Sequence, residues 1–296
     1  MTHPGVELIT AFVRESGLGA GTIEEQRAAM TAATVGLPIP TGITVSSATV
    51  GDRPAEWLTP ADQQPPGVIL YLHGGGYCLG GLATHRVLAA RLALASQLSV
   101  CLLDYRLAPE HPFPAAVDDA VAAFHDLLAH GIRSDRVAIA GDSAGGGLTL
   151  ATLVALRDAG ADLPAAGVAL SPWTDLTQSA DSYDRCAEVD PMIDRDRLQV
   201  MADRYLGGAS PTAPLASPMH ADLSGLPPLL IEVGEAECLL DDAVVFAERA
   251  RAVGVDVTLN RYPNLIHVFQ AFPPELIPEG DVSLRGIGAF INDRFS

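Results

Sequence analysis

The chain has 296 residues, 48% of them hydrophobic and 18% charged, with a mean hydropathy of +0.24, enough for one large or two small globular domains. Its 36 acidic residues stand against 18 basic ones, all arginine, for a formal net charge of −18. Such a field repels phosphate backbones and anionic lipid surfaces, and no basic run offsets it locally, which excludes nucleic-acid and polybasic membrane readings.

In chain order, Met1 to Gly5 begin no basic leader, and Glu7, Arg14 and Glu15 interrupt the first apolar stretch, so no secretory signal is expected. Val6-Ile9-Phe12-Val13 and Ile23-Arg27-Met30 carry helical spacing, with Gly17 to Gly21 between them. Ile43 to Val50 and Arg53 to Leu58 alternate as strands about Gly51-Asp52, the pattern of an antiparallel hairpin. Strands are then predicted at Val68 to Leu72, Val100 to Asp104, Arg136 to Ala140, Gly167 to Leu170, Pro228 to Val233 and Asp256 to Tyr262. Helices are predicted between them, near Thr84 to Ser96, Pro114 to Ala129, Ala144 to Ala159 and Asp241 to Val253, with a last one at about Asp281 to Phe290. Short apolar strands alternating with amphipathic helices describe a parallel sheet covered on both faces.

The polar stretch Gln178 to Ser217, with a helical piece at Asp194 to Tyr205, interrupts that alternation, and an insertion of this length usually forms a lid or cap. No run reaches 18 apolar residues, so no membrane span is expected. Cys78, Cys101, Cys186 and Cys238 lie far apart with neither metal nor redox spacing, which fits a reduced, cytoplasmic protein.

Chemistry enters at Gly141-Asp142-Ser143-Ala144-Gly145, which follows the run Val137 to Ala140 and opens the next helix. A G-x-S-x-G serine between strand and helix is held exposed on a strained turn, with glycines on either side for close backbone approach. His73-Gly74-Gly75-Gly76-Tyr77 follows the strand Val68 to Leu72, and amides bared by glycine, with the N–H after the serine, can bind an oxyanion. His73 itself is expected to brace the loop.

A serine nucleophile needs a base, and the base an acid. In the order serine, acid, histidine, only His220 and His267 follow Ser143. His267 lies just beyond the final strand, where a loop residue reaches the top of the sheet; His220, in a proline-bounded loop, reads as a surface residue. For the acid, the loop after Leu229 to Val233 offers Glu235, Glu237, Asp241 and Asp242. Glu237 leads because it lies in the loop proper, while Asp241 and Asp242 begin a helix and could serve as helix-end charges.

Together, His73-Gly74-Gly75-Gly76, Gly141-Asp142-Ser143-Ala144-Gly145 and Asp104-Tyr105-Arg106-Leu107-Ala108-Pro109-Glu110-His111 resemble the hormone-sensitive lipase-like branch of the α/β-hydrolases, bacterial carboxylesterases with an N-terminal cap. Ser171-Pro172-Trp173 and Ile266-His267 match as well, so the resemblance covers nearly the whole chain. It implies Ser143 as nucleophile, His267 as base, and Gly75, Gly76 and Ala144 as oxyanion donors. Many members carry Asp-Pro-Leu at the acid where this chain reads Glu237-Cys238-Leu239; a subset of the family has Glu there, and Asp241 is held in reserve.

The expected architecture is therefore an α/β-hydrolase fold, a mostly parallel eight-stranded sheet with helices on both faces. Residues 1–42 would form cap helices, 43–177 and 218–296 the catalytic core, and 178–217 a cap insertion. Tyr77, Asp142 and Ile266 are set down as candidate substrate-binding residues, Asp142 also as a structural group, and Arg106 with Glu110 as a polar brace under the glycine loop. The expected reaction is hydrolysis of short- to medium-chain carboxylic esters through an acyl-enzyme, with lactone hydrolysis as the alternative. A ligand-binding member without catalysis and an acyltransferase stand behind them. No metal or organic cofactor is required; the partner is a small-molecule ester or lactone, without nucleic acid or membrane, and a homodimer is possible.

Overall fold

Runs such as Val68–Leu72 leave no polar face to turn toward water, so they have to lie between two layers. The computed structural model describes residues 3–16, 21–61 and 65–295. In chain order its elements are α1 (Pro4–Ser16), α2 (Ile23–Thr34), β1 (Ile43–Val50), β2 (Arg53–Pro60), β3 (Val68–Leu72), α3 (Leu82–Ser96), β4 (Ser99–Leu103), α4 (Ala115–Ala129), β5 (Val137–Asp142), α5 (Ala144–Asp158), β6 (Ala166–Leu170), α6 (Ser182–Arg185), α7 (Arg195–Leu206), β7 (Leu229–Gly234), α8 (Leu240–Ala252), β8 (Val257–Tyr262) and α9 (Glu279–Asn292).

One eight-stranded sheet runs in the order β1-β2-β4-β3-β5-β6-β7-β8. β2 is antiparallel to both β1 and β4, and every other pairing is parallel. The period-2 geometry of strands sorts their side chains between two cores. Leu70, Leu72, Cys101, Leu103, Val137 and Ile139 pack with α4, α5 and α8. Ile69, Tyr71, Val100, Leu102, Ala138 and Ala140 pack with α3 and α9.

The elements differ from expectation mainly at their ends. β5 runs two residues past Ala140, because its pairing with β6 continues through Gly141↔Ala169 and Asp142↔Leu170. The short helix α6 was not predicted; four polar residues show no periodicity. The expected glycine break between the first two helices falls largely on residues 17–20, outside the described residues.

α1 and α2 dock on loops that leave the carboxyl ends of the strands. Val6 and Ile9 of α1 are buried against Leu265, Ile266, Phe269 and Ile277. α2 starts with a capping box, Thr22 N–H donating to Glu25 Oε2 at 2.8 Å and Glu25 N–H to Thr22 Oγ1 at 3.3 Å. Its Arg27 donates to the carbonyls of Cys78 (2.8 Å) and Ala108 (2.9 Å) and forks onto Glu110. α1 meets the 178–217 segment where Arg14 Nη2 donates to the Glu188 carbonyl at 2.9 Å. No helix among the described residues is long and apolar enough to cross a membrane.

Candidate active site

β5 ends at Asp142 and α5 begins at Ala144, leaving Ser143 alone at the corner with φ 54° and ψ −121°. A side chain pays strain in that region, and it persists only where the surroundings overdetermine it. Ser143 N–H donates to Leu170 O at 2.8 Å, and its carbonyl accepts the N–H groups of Gly147 and Trp173, each at 3.0 Å. The flanking glycines are obligatory: a Cβ at Gly145 would lie 2.0 Å from Leu72 O, and one at Gly141 2.3 Å from Gly145 O.

His267 enters on the loop after β8, its Nε2 2.9 Å from Ser143 Oγ and its Nδ1 3.3 Å from Glu237 Oε1. The other oxygen of Glu237 accepts Ser171 Oγ–H at 2.8 Å and Gly234 N–H at 3.0 Å, which aims Oε1 at the imidazole. Ser171 Oγ also accepts Val268 N–H at 3.1 Å, so one hydroxyl joins the acid loop to the histidine loop. Val268, at φ 47°, is a β-branched residue in the left-handed region, and Ser171 is there too at φ 45°. Burial opposes charge on the His267 ring, but the hydrogen bond and charge of Glu237, with Asp190 and Asp142 behind them, outweigh it and raise its pKa above the ordinary 6.5.

The remaining acid candidates go elsewhere. Glu235 pairs with Arg261 at 2.9 Å at the rim. Asp241 accepts from Ser182 N–H (3.0 Å) and Arg185 (2.7 Å). Asp242 accepts the N–H groups of Thr174 (2.9 Å) and Asp175 (3.0 Å) and holds that turn, with burial pushing its carboxyl up to about 7. His220 sits at the surface beside Asp175, 3.1 Å away.

The glycine loop leaves β3 one strand away. Gly75 has φ 120° and Gly76 φ 60°, and a Cβ on Gly75 would meet Leu79 O at 2.3 Å. Among the described residues, the N–H groups of Gly75 and Gly76 donate to no protein group. A Cβ on Gly76 would meet Met201 Sδ of α7 at 2.1 Å, so the sulfur roofs that glycine. His73 lies beneath, stacked on Tyr105 with centroids 4.2 Å apart, its pKa lowered to about 3 by burial and by His85. Tyr105 O–H donates to the His73 carbonyl at 2.6 Å.

Of the two readings set down for Asp142 the structural one fits, and the brace and Ile266 differ from expectation. Asp142, set down for substrate, turns inward: it is buried and accepts from Tyr71 O–H (2.8 Å) and Gly74 N–H (3.1 Å), with His85 Nε2 at 3.4 Å. Burial works against its charge, yet His85 and Tyr71 outweigh it and keep the carboxyl below its ordinary value. Arg106 and Glu110 form no joint brace, because each has a nearer partner: Arg106 forks onto Asp119 of α4, while Glu110 meets Arg27 of α2. Ile266 is fully buried in the seat of α1. Tyr77 is also buried, stacked on Tyr205 of α7 at 3.7 Å. Sequence reasoning missed Ser171, Met201 and Tyr205; Ser171 stood inside a matched motif, but nothing in its spacing revealed two loops converging on it.

A serine on a strained strand-to-helix turn, backed by a histidine and a carboxylate at one edge of a mostly parallel eight-stranded sheet, defines the α/β-hydrolase class. The family profile described as the alpha/beta hydrolase fold matches residues 69–271. The acetyl-hydrolase of Streptomyces hygroscopicus is 44% identical over 295 residues, 98% of this chain and 97% of that protein. The carboxylesterase NlhH of Mycobacterium tuberculosis is 36% identical over 233 residues, 75% of this chain and 72% of that one. The crystal structure of an esterase from the bacterial hormone-sensitive lipase family superimposes with a TM-score of 0.96 at 44% identity, covering 100% of both chains. The chain belongs to the α/β-hydrolase fold family, in its hormone-sensitive lipase-like branch, and is a carboxylic ester hydrolase.

Proposed function

We propose that the chain hydrolyses short- to medium-chain esters through an acyl-enzyme on Ser143. The observation that carries this reading is the relay of Ser143 Oγ, His267 and Glu237 at 2.9 and 3.3 Å. His267 Nε2 takes the Ser143 proton as Oγ attacks the ester carbonyl, and Glu237 holds the imidazole by Nδ1 and stabilises its charge. The N–H groups of Gly75, Gly76 and Ala144 receive the oxyanion. His267 then gives the proton to the departing alcohol, and water, deprotonated by the same nitrogen, releases the acid. Helices α1 and α2 with the 178–217 segment act as the cap. Preference for a small acyl group is supported by Met201 roofing Gly76 and by the acetyl-hydrolase name of a full-length relative.

An organophosphonate followed by peptide mass mapping tests the reading. One adduct on Ser143, with loss of esterase activity in proportion, is expected; an adduct on another serine, or continued turnover after full labelling of Ser143, would contradict it. A p-nitrophenyl ester series should show activity falling beyond medium chain lengths.

A further inference from the structure

A second buried carboxylate stands behind the acid loop, and it comes from the 178–217 segment. Asp190 is 6% exposed. Its Oδ1 accepts the N–H groups of Met192 (2.9 Å) and Ile193 (3.2 Å), which closes a local turn. Its Oδ2 reaches across 48 residues and accepts Cys238 N–H at 2.9 Å. That N–H belongs to the peptide joining Glu237 to Cys238, so the plane of the acid's own peptide is set by Asp190. The next peptide is gripped from the same segment: Ser182 Oγ–H donates to the Cys238 carbonyl at 2.6 Å, and Ser182 N–H to Asp241 Oδ2 at 3.0 Å.

A turn alone would not require this arrangement. A surface Asp closes such turns with its free oxygen in water, whereas burying an ionisable carboxyl is costly unless its partners need it. On the reading of Ser143, His267 and Glu237 given above, we propose that Asp190 is a positioning residue of the site: it fixes the peptide that follows the acid and sets a second negative charge behind the imidazole that carries the proton during turnover.

The surrounding charges are consistent with that role. His267 is faced by Glu237 from the acid loop, by Asp190 from the inserted segment and by Asp142 from the β5–α5 corner. Burial raises the Asp190 carboxyl above its ordinary value and Glu237 adds to this, while His267 and the N–H groups of Cys238 and Met192 favour its charged form; the thiols of Cys186 and Cys238 lie near it. Removing its charge favours the neutral imidazole and so moves the acid limb of kcat/KM to lower pH.

The test compares Asp190→Asn, which keeps the shape and loses the charge, with Ser182→Ala, which leaves every carboxylate in place and cuts the ties of one hydroxyl to the Cys238 carbonyl and the Asp241 N–H. Activities are referred to the fraction of sites titrated by a phosphonate, so partial unfolding does not enter. Absence of label on Ser143 in the unaltered enzyme would refute the triad reading rather than this proposal. Asp190→Asn is expected to lose kcat on the order of tenfold with KM within about twofold, and to shift the acid limb downward. Ser182→Ala is expected to lose kcat severalfold with the limb unmoved. A normal kcat and an unmoved limb in Asp190→Asn, even with lowered thermal stability, would reduce Asp190 to a turn-former and overturn the proposal. If Asp190→Asn does not fold, Ser182→Ala decides: a severalfold loss supports the proposal and a normal kcat contradicts it.

Discussion

Asp142 and Asp190 both hold the backbone of a loop that meets at the serine, yet they are built differently. Asp142 is adjacent to Ser143 and grips Gly74 from within the sheet, with Tyr71 and His85 around it. Asp190 reaches Cys238 from a segment outside the sheet. The glycine loop takes its carboxylate brace from the core, while the carboxylate that braces the acid loop comes from the inserted segment, which also covers the glycine loop through Met201 and Tyr205.

Ser143→Ala sets the floor for both braces. Its kcat should fall on the order of a millionfold while the thermal midpoint is kept, since only one oxygen is lost; single-turnover assays with thermal melts check both. Next in size, Asp142→Asn weakens the acceptor shared by Tyr71 O–H and Gly74 N–H and turns an NH2 group toward His85. It should cost about ten- to a hundredfold in kcat, as oxyanion donors misplace, and about 2 kcal/mol of stability, read from activity and denaturant unfolding on one preparation.

The pH profile reads the charge of both carboxylates. His267 must be neutral to accept the serine proton, and its pKa lies above the ordinary 6.5, so kcat/KM should rise with pH through a limb above that value. Neutralising Asp142 should also move the limb down, since both carboxylates favour the charged ring. The smallest effect is expected at the rim. Arg27→Ala frees α2 from the glycine loop and should lower stability by about 1 kcal/mol with kcat within about twofold of normal.

Much of the fold and of the serine turn is legible in the sequence. Apolar runs such as Val68–Leu72 and Val137–Ala140 can only be central strands, and Gly141 and Gly145 are demanded by backbone approaches near 2 Å that no Cβ would survive. What escaped the sequence are pairings between distant positions. Arg106 and Glu110 are four residues apart and invite a joint brace, but their partners, Asp119 and Arg27, lie on different helices. Ser171 and Asp190 were invisible for the same reason: each acts across 48 residues or more, through loops whose meeting no local pattern encodes. The identity of the acid rested on the resemblance, because spacing alone left Glu237, Asp241 and their neighbours open.

The assignment of that acid is therefore where the account is most directly tested, by measuring kcat of Glu237→Gln beside Asp241→Asn under one set of conditions. Glu237→Gln should lose on the order of a hundredfold or more, as when a triad histidine is left without its carboxylate, and Asp241→Asn, which loses ties to Ser182 and Arg185 only, should stay within a few-fold of the unaltered enzyme. A nearly normal Glu237→Gln with an inactive Asp241→Asn would contradict the relay.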